Sequence, residues 1–422
     1  MASGRAESLG TENANAAPKA PAKFLWGTAT AAHQIEGNNI NSDFWLAEHV
    51  QPTLFAEPSG DACDSYHRYG EDIAIAARLG FNCHRFGIEW ARIEPEPGVF
   101  SQAALDRYVR QLEECHRQGL APMVTFSHWT VPRWFAARGG FEHPDSPELF
   151  ARFAEQATAR LGPLMSYAST FNEANIQRLI GLRGHRERMR QSVTAMYAAC
   201  AKACGSDRFS MVLFGEVEKI EANMLAAHDQ ALAVMKAGPG DFPVGVTITM
   251  QEIEGVGAVN RAAEVEQSLY GPWLEAASRA DFVGVQTYTR FRVGPDGLLP
   301  PPEGAELTAA GYEYRPEALA ATIRYAAAKT GKPIIVTENG IATDDDTRRR
   351  AFIEAALAGV SACIAEGIDV RGYLHWSLLD NFEWTYGYKQ RFGLVAVDRQ
   401  TFARTPKPSA IYLGKRAQAG KV

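Results

Sequence analysis

The chain has 422 residues, of which 46% are hydrophobic and 22% charged, ordinary values for a globular protein with a large core. Its formal charge of −6 argues against a nucleic-acid partner, which would want a basic face. No run of about 18 apolar residues appears, so neither a membrane span nor a membrane partner is expected.

Residues 1–22 are rich in Ala, Asn, Gly and Pro and hold no apolar segment of signal-peptide type. They read as a disordered tail ahead of one domain over 23–422. The cysteines Cys63, Cys83, Cys115, Cys200, Cys204 and Cys363 are scattered, unlike a disulfide framework. Cys200 and Cys204 lie one helical turn apart, with no His or second Cys pair beside them. Buried free thiols, no metal site and a cytoplasmic, reducing setting are the expectation.

Short apolar runs then alternate with helical patterns. The runs are 24–30, 81–86, 121–126, 167–171, 244–249, 282–288, 333–337 and 371–376. Between them, apolar residues recur at three- and four-residue spacing over 66–79, 103–118, 148–161, 193–204, 262–277, 316–329 and 348–365. Gly80, Gly119, Gly162, Gly331 and Gly367 punctuate their ends, and a last helix is expected after Pro408. The stretch between Glu173 and the fifth run is long enough for more than one helix. It carries a basic cluster, Arg183, His185, Arg186, Arg188 and Arg190, which reads as a solvated helix face rather than a phosphate site. Eight strands separated by helices predict parallel pairing and, at this length, a single α/β domain, a (β/α)8 TIM barrel.

In such a barrel the active site lies at the C-terminal ends of the strands. The polar and aromatic residues at those ends are Gln34, Arg85, His128, Trp129, Asn172, Glu173, Tyr288, Glu338, Trp376, Glu383 and Trp384. Hydrogen-bonding groups beside flat apolar rings match a sugar, which presents hydroxyls around an apolar C–H face. Glu173 and Glu338 end two apolar runs whose interiors have no use for a carboxylate. Paired carboxylates are the usual equipment for cutting a glycosidic bond. One must be ionised and the other protonated at the same pH, so their surroundings must push their pKa values apart. Arg85 and Tyr288 are candidates to keep Glu338 charged.

Six stretches carry a specific resemblance. They are Phe24 to Gly37 (FLWGTATAAHQIEG), Arg85 to Ile93 (RFGIEWARI), Ser127 to Pro132 (SHWTVP), Thr170 to Glu173 (TFNE), Val336 to Gly340 (VTENG) and Gly372 to Trp384 (GYLHWSLLDNFEW). In this order, over nearly the whole chain, they resemble the family 1 glycoside hydrolases, the retaining β-glucosidases and β-galactosidases. The resemblance implies Glu338 as nucleophile and Glu173 as acid/base. It implies Asn172 as partner of the sugar 2-hydroxyl, and Arg85 and Tyr288 as orienters of the nucleophile. It implies Gln34, His128, Trp129, Glu383 and Trp384 as binders of the other hydroxyls, and Trp376 as the platform under the ring. No cofactor is implied. The substrates implied are small β-glucosides and β-linked oligosaccharides, with galactosides and fucosides as further candidates.

Three departures stand out. Ala174 follows Glu173 where the family usually has Pro, which suggests a less rigid loop. Gln286-Thr287-Tyr288 replaces the family's Asn-Tyr-Tyr, which leaves the Asn contact open. The segments after Glu173 and between Tyr270 and Asp281 look short, which suggests a more open aglycone side. Two rivals remain: a 6-phospho-β-glycosidase and a catalytically silent sugar-binding protein. Against the first, Asn381-Phe382-Glu383-Trp384 lacks the Ser, Lys and Tyr cluster that holds a phosphate, and nearby Lys389 does not restore it. Against the second, both glutamates are present.

Overall fold

Strands rich in Val, Ile and Gly alternate with helices around the molecule. In the computed structural model, which describes residues 23–420 and 422, these strands are β1 (Leu25–Ala29), β2 (Cys83–Gly87), β3 (Ala121–Ser127), β4 (Tyr167–Phe171), β5 (Val244–Thr249), β6 (Phe282–Gln286), β7 (Ile334–Glu338) and β8 (Val370–Trp376). All pair in parallel with their neighbours in chain order, and β1 closes the circle by pairing with β8, Leu25 opposite Gly372 and Ala29 opposite Trp376. This is the expected (β/α)8 barrel. Residues 1–22, read as a disordered tail, lie outside the described residues.

Most strand positions are buried on both faces, because helices cover the outside and side chains fill the inside. The covering helices form where the apolar spacing predicts them, including Gln102–Arg117, Ser146–Leu161, Ala262–Ala277 and Asp346–Ala365. Ser101 caps the first by accepting from Ala104 N, and Asp345 caps the last by accepting from Thr347 N and Arg348 N. Gly162 differs from the expectation. It does not end its helix in the left-handed conformation but continues into a 3-10 turn at φ −49°. A Cβ there would stand 2.0 Å from Pro239 O, so close packing explains the glycine.

The stretch between Glu173 and β5 holds three helices, Ile176–Leu182, His185–Cys204 and Val217–Ala237. The first of these and the start of the second fell outside the 193–204 pattern, and the third was not separately foreseen. The sixth run stops pairing at Gln286, so Tyr288 sits just past the strand. Two small sheets were not foreseen: Glu252–Gly255 with Arg290–Gly294 and Gly297–Leu299, and Val395–Val397 with Arg404–Pro406. The first continues outward from the ends of β5 and β6. Among the described residues, the cysteines are unpaired; all are buried except the half-buried Cys204. No helix among them is long and apolar enough to cross a membrane.

Candidate active site

The C-terminal strand ends surround a cleft of about 240 Å³. His128, Trp129, Asn172, Glu173, Tyr288, Glu338, Trp376, Glu383 and Trp384 all line it. Arg85 and Gln34 do not; they stand behind the lining. The barrel thus gathers every residue singled out from the sequence, nine as walls and two as supports.

Glu338 ends β7, where the pairing with β6 shifts register between Val336 and Glu338 and sets Glu338 opposite Gln286. Such irregularities re-aim a side chain at a strand end. The fully buried Arg85 donates from Nη1 to Glu338 Oε1 at 2.7 Å, and Tyr288 OH donates to Oε2 at 2.6 Å. Both oxygens of this carboxylate therefore have donors, one of them cationic. Behind it, Asn339 Nδ2 donates to Thr287 O and Tyr373 OH donates to Asn339 Oδ1, which anchors the turn after the strand.

Glu173 follows β4 with a left-handed φ of 41°. Trp129 and Trp384 share that conformation, at 72° and 50°. Strained backbone of this kind persists where surrounding contacts over-determine it. Here Glu173 N donates to Thr247 Oγ1 (3.1 Å) and Ala174 N donates to Thr247 O (3.0 Å). Ala174, expected to loosen this loop, makes there a backbone hydrogen bond that a proline could not.

Burial and the neighbouring Glu338 push the Glu173 carboxyl up to about 8. Burial raises Glu338 as well, and the Arg85 guanidinium and the Tyr288 hydroxyl oppose that rise in part. The same side chain thus sits in two environments, one with a cation in contact and one without.

Asn172 is held in one orientation. Its Oδ1 accepts from Arg85 Nη2 (2.6 Å) and from Gln286 Nε2 (2.8 Å), and its Nδ2 donates to His128 Nε2 (2.9 Å). Gln286, whose role the sequence left open, makes a direct contact to this amide. Burial and Arg85 hold His128 well below its ordinary pKa, so the ring is neutral. With Nε2 accepting, Nδ1 carries the hydrogen, and that atom has no protein partner. Trp129 Nε1 and Gln34 Oε1 are likewise buried without a partner. Buried polar atoms in this state call for a ligand that completes them.

Glu383 is buried beside Asn381, whose Nδ2 donates to its Oε1 at 3.0 Å, with Trp376 and Gln34 close enough to favour its charge. Burial nevertheless raises its carboxyl well above the ordinary value. Gln34 Nε2 holds the loop by donating to Phe382 O at 2.6 Å. Beneath Trp384, the His33 ring is stacked at 5.9 Å and 5°, and its Nε2 is 2.8 Å from Glu48 Oε1. His33 stands next to Gln34 in the first motif but carried no separate signal.

Arg183 corrects the reading of the basic cluster. It lines the cleft, with its guanidinium 5.3 Å from the Tyr312 ring centre and 5.9 Å from that of Phe291. Arg188 and Arg190 are exposed, as a solvated face requires. The side chains of His185 and Arg186 lie outside the described residues. The segment after Glu173, expected to leave the cleft more open, still walls it with Ile176, Leu179, Ile180, Leu213 and Phe214.

The glycosyl hydrolase family 1 model matches residues 17–260 and 301–421. The chain belongs to that family. It is a hydrolase of O-glycosyl bonds. Thermostable β-glucosidase B of Thermobispora bispora is 30% identical, over 93% of this chain and 89% of its own length. The solved structure of β-glucosidase 1317 is 50% identical with a TM-score of 0.92, covering 94% of this chain and 99% of that one. That of the Thermotoga maritima β-glucosidase with glucoimidazole is 26% identical with a TM-score of 0.82, covering 95% and 99%. As a family 1 hydrolase, the chain leaves residues 261–300 unmatched. That stretch includes β6, Gln286, Tyr288 and Phe291.

Proposed function

We propose that this family 1 hydrolase is a retaining exo-β-glucosidase that removes terminal β-glucosyl residues from small glucosides and short oligosaccharides, and that it also accepts β-galactosyl and β-fucosyl groups. The observation that carries the reading is the asymmetric carboxyl pair. Glu338 accepts hydrogen bonds from Arg85 and Tyr288, while Glu173 has no cation in contact and its carboxyl is pushed up to about 8. β-Glucosidases among the relatives support the choice of sugar.

In this mechanism Glu338 attacks the anomeric carbon as the Glu173 proton passes to the leaving oxygen. The sugar is then held as an ester of Glu338. Glu173, now a carboxylate, takes a proton from water, which displaces Glu338 and releases the β-anomer. The Asn172 amide holds the 2-hydroxyl, and Trp376 lies under the sugar ring. Gln34, His128, Trp129, Glu383 and Trp384 complete the remaining hydroxyls. The other expectations, a single domain over 23–422 and a cytoplasmic site of action, stand as part of the same proposal.

A 6-phosphosugar is disfavoured. Among the described residues lining the cleft, the only cation is Arg183, while the end that holds Glu383 has none. The test is turnover of an aryl β-glucoside followed by NMR of the first product. The β-anomer is expected, and an α-anomer would rule out double displacement. Glu338→Ala should lose several orders of magnitude in kcat, because no other group forms the ester. A variant that keeps a tenth of the activity on an intact fold would remove Glu338 from the role.

A further inference from the structure

Beyond the two glutamates the cleft runs outward as a largely apolar arm, walled on one side by Ile176, Leu179 and Ile180 from the helix after β4. Arg183 stands at the end of that helix. The charged residues lining the cleft, among those described, are Glu173, Glu338, Glu383 and Arg183. Three carboxyls thus belong to the sugar end and one cation to the arm. Arg183 lies against the Phe291 and Tyr312 rings and forms no ion pair with a described carboxylate. A second cavity of about 130 Å³ continues past it and shares Arg183, Thr289, Phe291 and Tyr312 with the cleft. Its other cations, Arg290 and Arg292, already face Glu313 and Glu254. The arm therefore presents flat apolar surface followed by one guanidinium with hydrogen-bonding capacity to spare.

We infer that this arm selects leaving groups that join an aromatic ring to a carboxylate, that is, β-glucosides of phenolic acids. The ring packs on the apolar wall, and the carboxylate meets Arg183, whose planar fork suits it. The chemistry is unchanged. The anomeric carbon–oxygen bond breaks, the phenolic oxygen leaves with the Glu173 proton, and water supplies hydroxyl to the sugar. Phe291 comes from the stretch 261–300, which the family model does not match. The inference rests on the glucosidase reading and adds the leaving-group class to it.

Two substrate pairs test it: 4-carboxyphenyl and 4-(2-carboxyvinyl)phenyl β-glucoside, each beside its primary amide. Acid and amide match in shape and differ in charge. At low salt, at least one acid should exceed its amide in kcat/KM by about tenfold, the size of one partly desolvated charge pair. Arg183→Met, which keeps the packing, should abolish that preference, Arg183→Lys should restore part of it, and added salt should weaken it in the wild type. An acid-to-amide ratio that agrees between wild type and Arg183→Met to within about twofold at both spacings overturns the inference while turnover of the amides leaves the glucosidase reading standing. If Arg183→Met instead costs a cello-oligosaccharide as much as the acids, the arm takes neutral sugars and the inference also falls. No turnover of any of the four glucosides would bring down the glucosidase reading itself.

Discussion

Glu173 and Glu338 carry the same side chain and differ in what touches them. Both are buried, which favours the protonated form, but only Glu338 has a guanidinium and a phenol within 2.7 Å. The sign of the pH dependence follows. Activity needs Glu338 ionised and Glu173 protonated. kcat/KM should rise as pH climbs through the Glu338 ionisation and fall as Glu173 loses its proton near pH 8. Glu173→Gln, assayed with an activated leaving group that needs no acid, should flatten the alkaline limb alone. An unchanged limb would assign it to another residue. Gln286 acts one step removed, through Asn172. With Arg85 it fills the amide oxygen, so the nitrogen is left for His128 and the sugar. Gln286→Met removes one donor and lets the amide turn. A drop in kcat/KM of about tenfold is expected on a β-glucoside, from one lost buried hydrogen bond and poorer positioning. The drop should be much smaller on the 2-deoxyglucoside, which lacks the hydroxyl concerned. Equal losses on both would make Gln286 a packing residue.

At the scale of elements, the ends of β7 and β8 decide whether the site exists. Gly340, two residues past Glu338, passes so close to β8 that a Cβ would lie 2.1 Å from Trp376 O. Backbone sits on both sides of that contact, so nothing flexible can yield. Gly340→Ala should therefore wedge the two strand ends apart, with a cost of about 1–3 kcal/mol. The denaturant midpoint should fall, and kcat should fall with it, because Glu338 and Trp376 ride on the displaced ends. A variant with wild-type stability and activity would show that the ends can separate freely. β5 has a similar role through one residue: Thr247 receives the Glu173 and Ala174 amides and so clamps the left-handed turn that aims the acid.

For the whole molecule, the repeating part of the fold was readable and the irregular part was not. Eight apolar runs and their helices follow from periodicity, and the barrel follows from parallel pairing. Glu173, Glu338 and Trp376 were readable because a polar or aromatic residue at a strand end has a defined location in a barrel. Arg183 was misread because its neighbours Arg188 and Arg190 do point to solvent, and helical spacing does not reveal where a helix stops. Phe291 and Tyr312 were invisible because loop residues have no period, and the small sheet that carries Phe291 pairs segments from the loops after β5 and β6. Contacts of this kind also set when the site appears. Arg85 meets Glu338 across 253 positions, and Gln34 meets Phe382 across 348. Closure of β1 on β8 comes last for a chain made from its N-terminus, because β8 emerges after the other seven strands are complete. Until then β1 and β7 are open edges and the two carboxyls have no common cleft. Such distant pairings form slowly compared with helices. On dilution from denaturant, hydrolytic activity should return well after the far-ultraviolet helix signal, and a truncation ending before Val370 should regain helix without activity. Hydrolysis is therefore a reporter of ring closure: a chain that turns over substrate is one whose first and last strands have met.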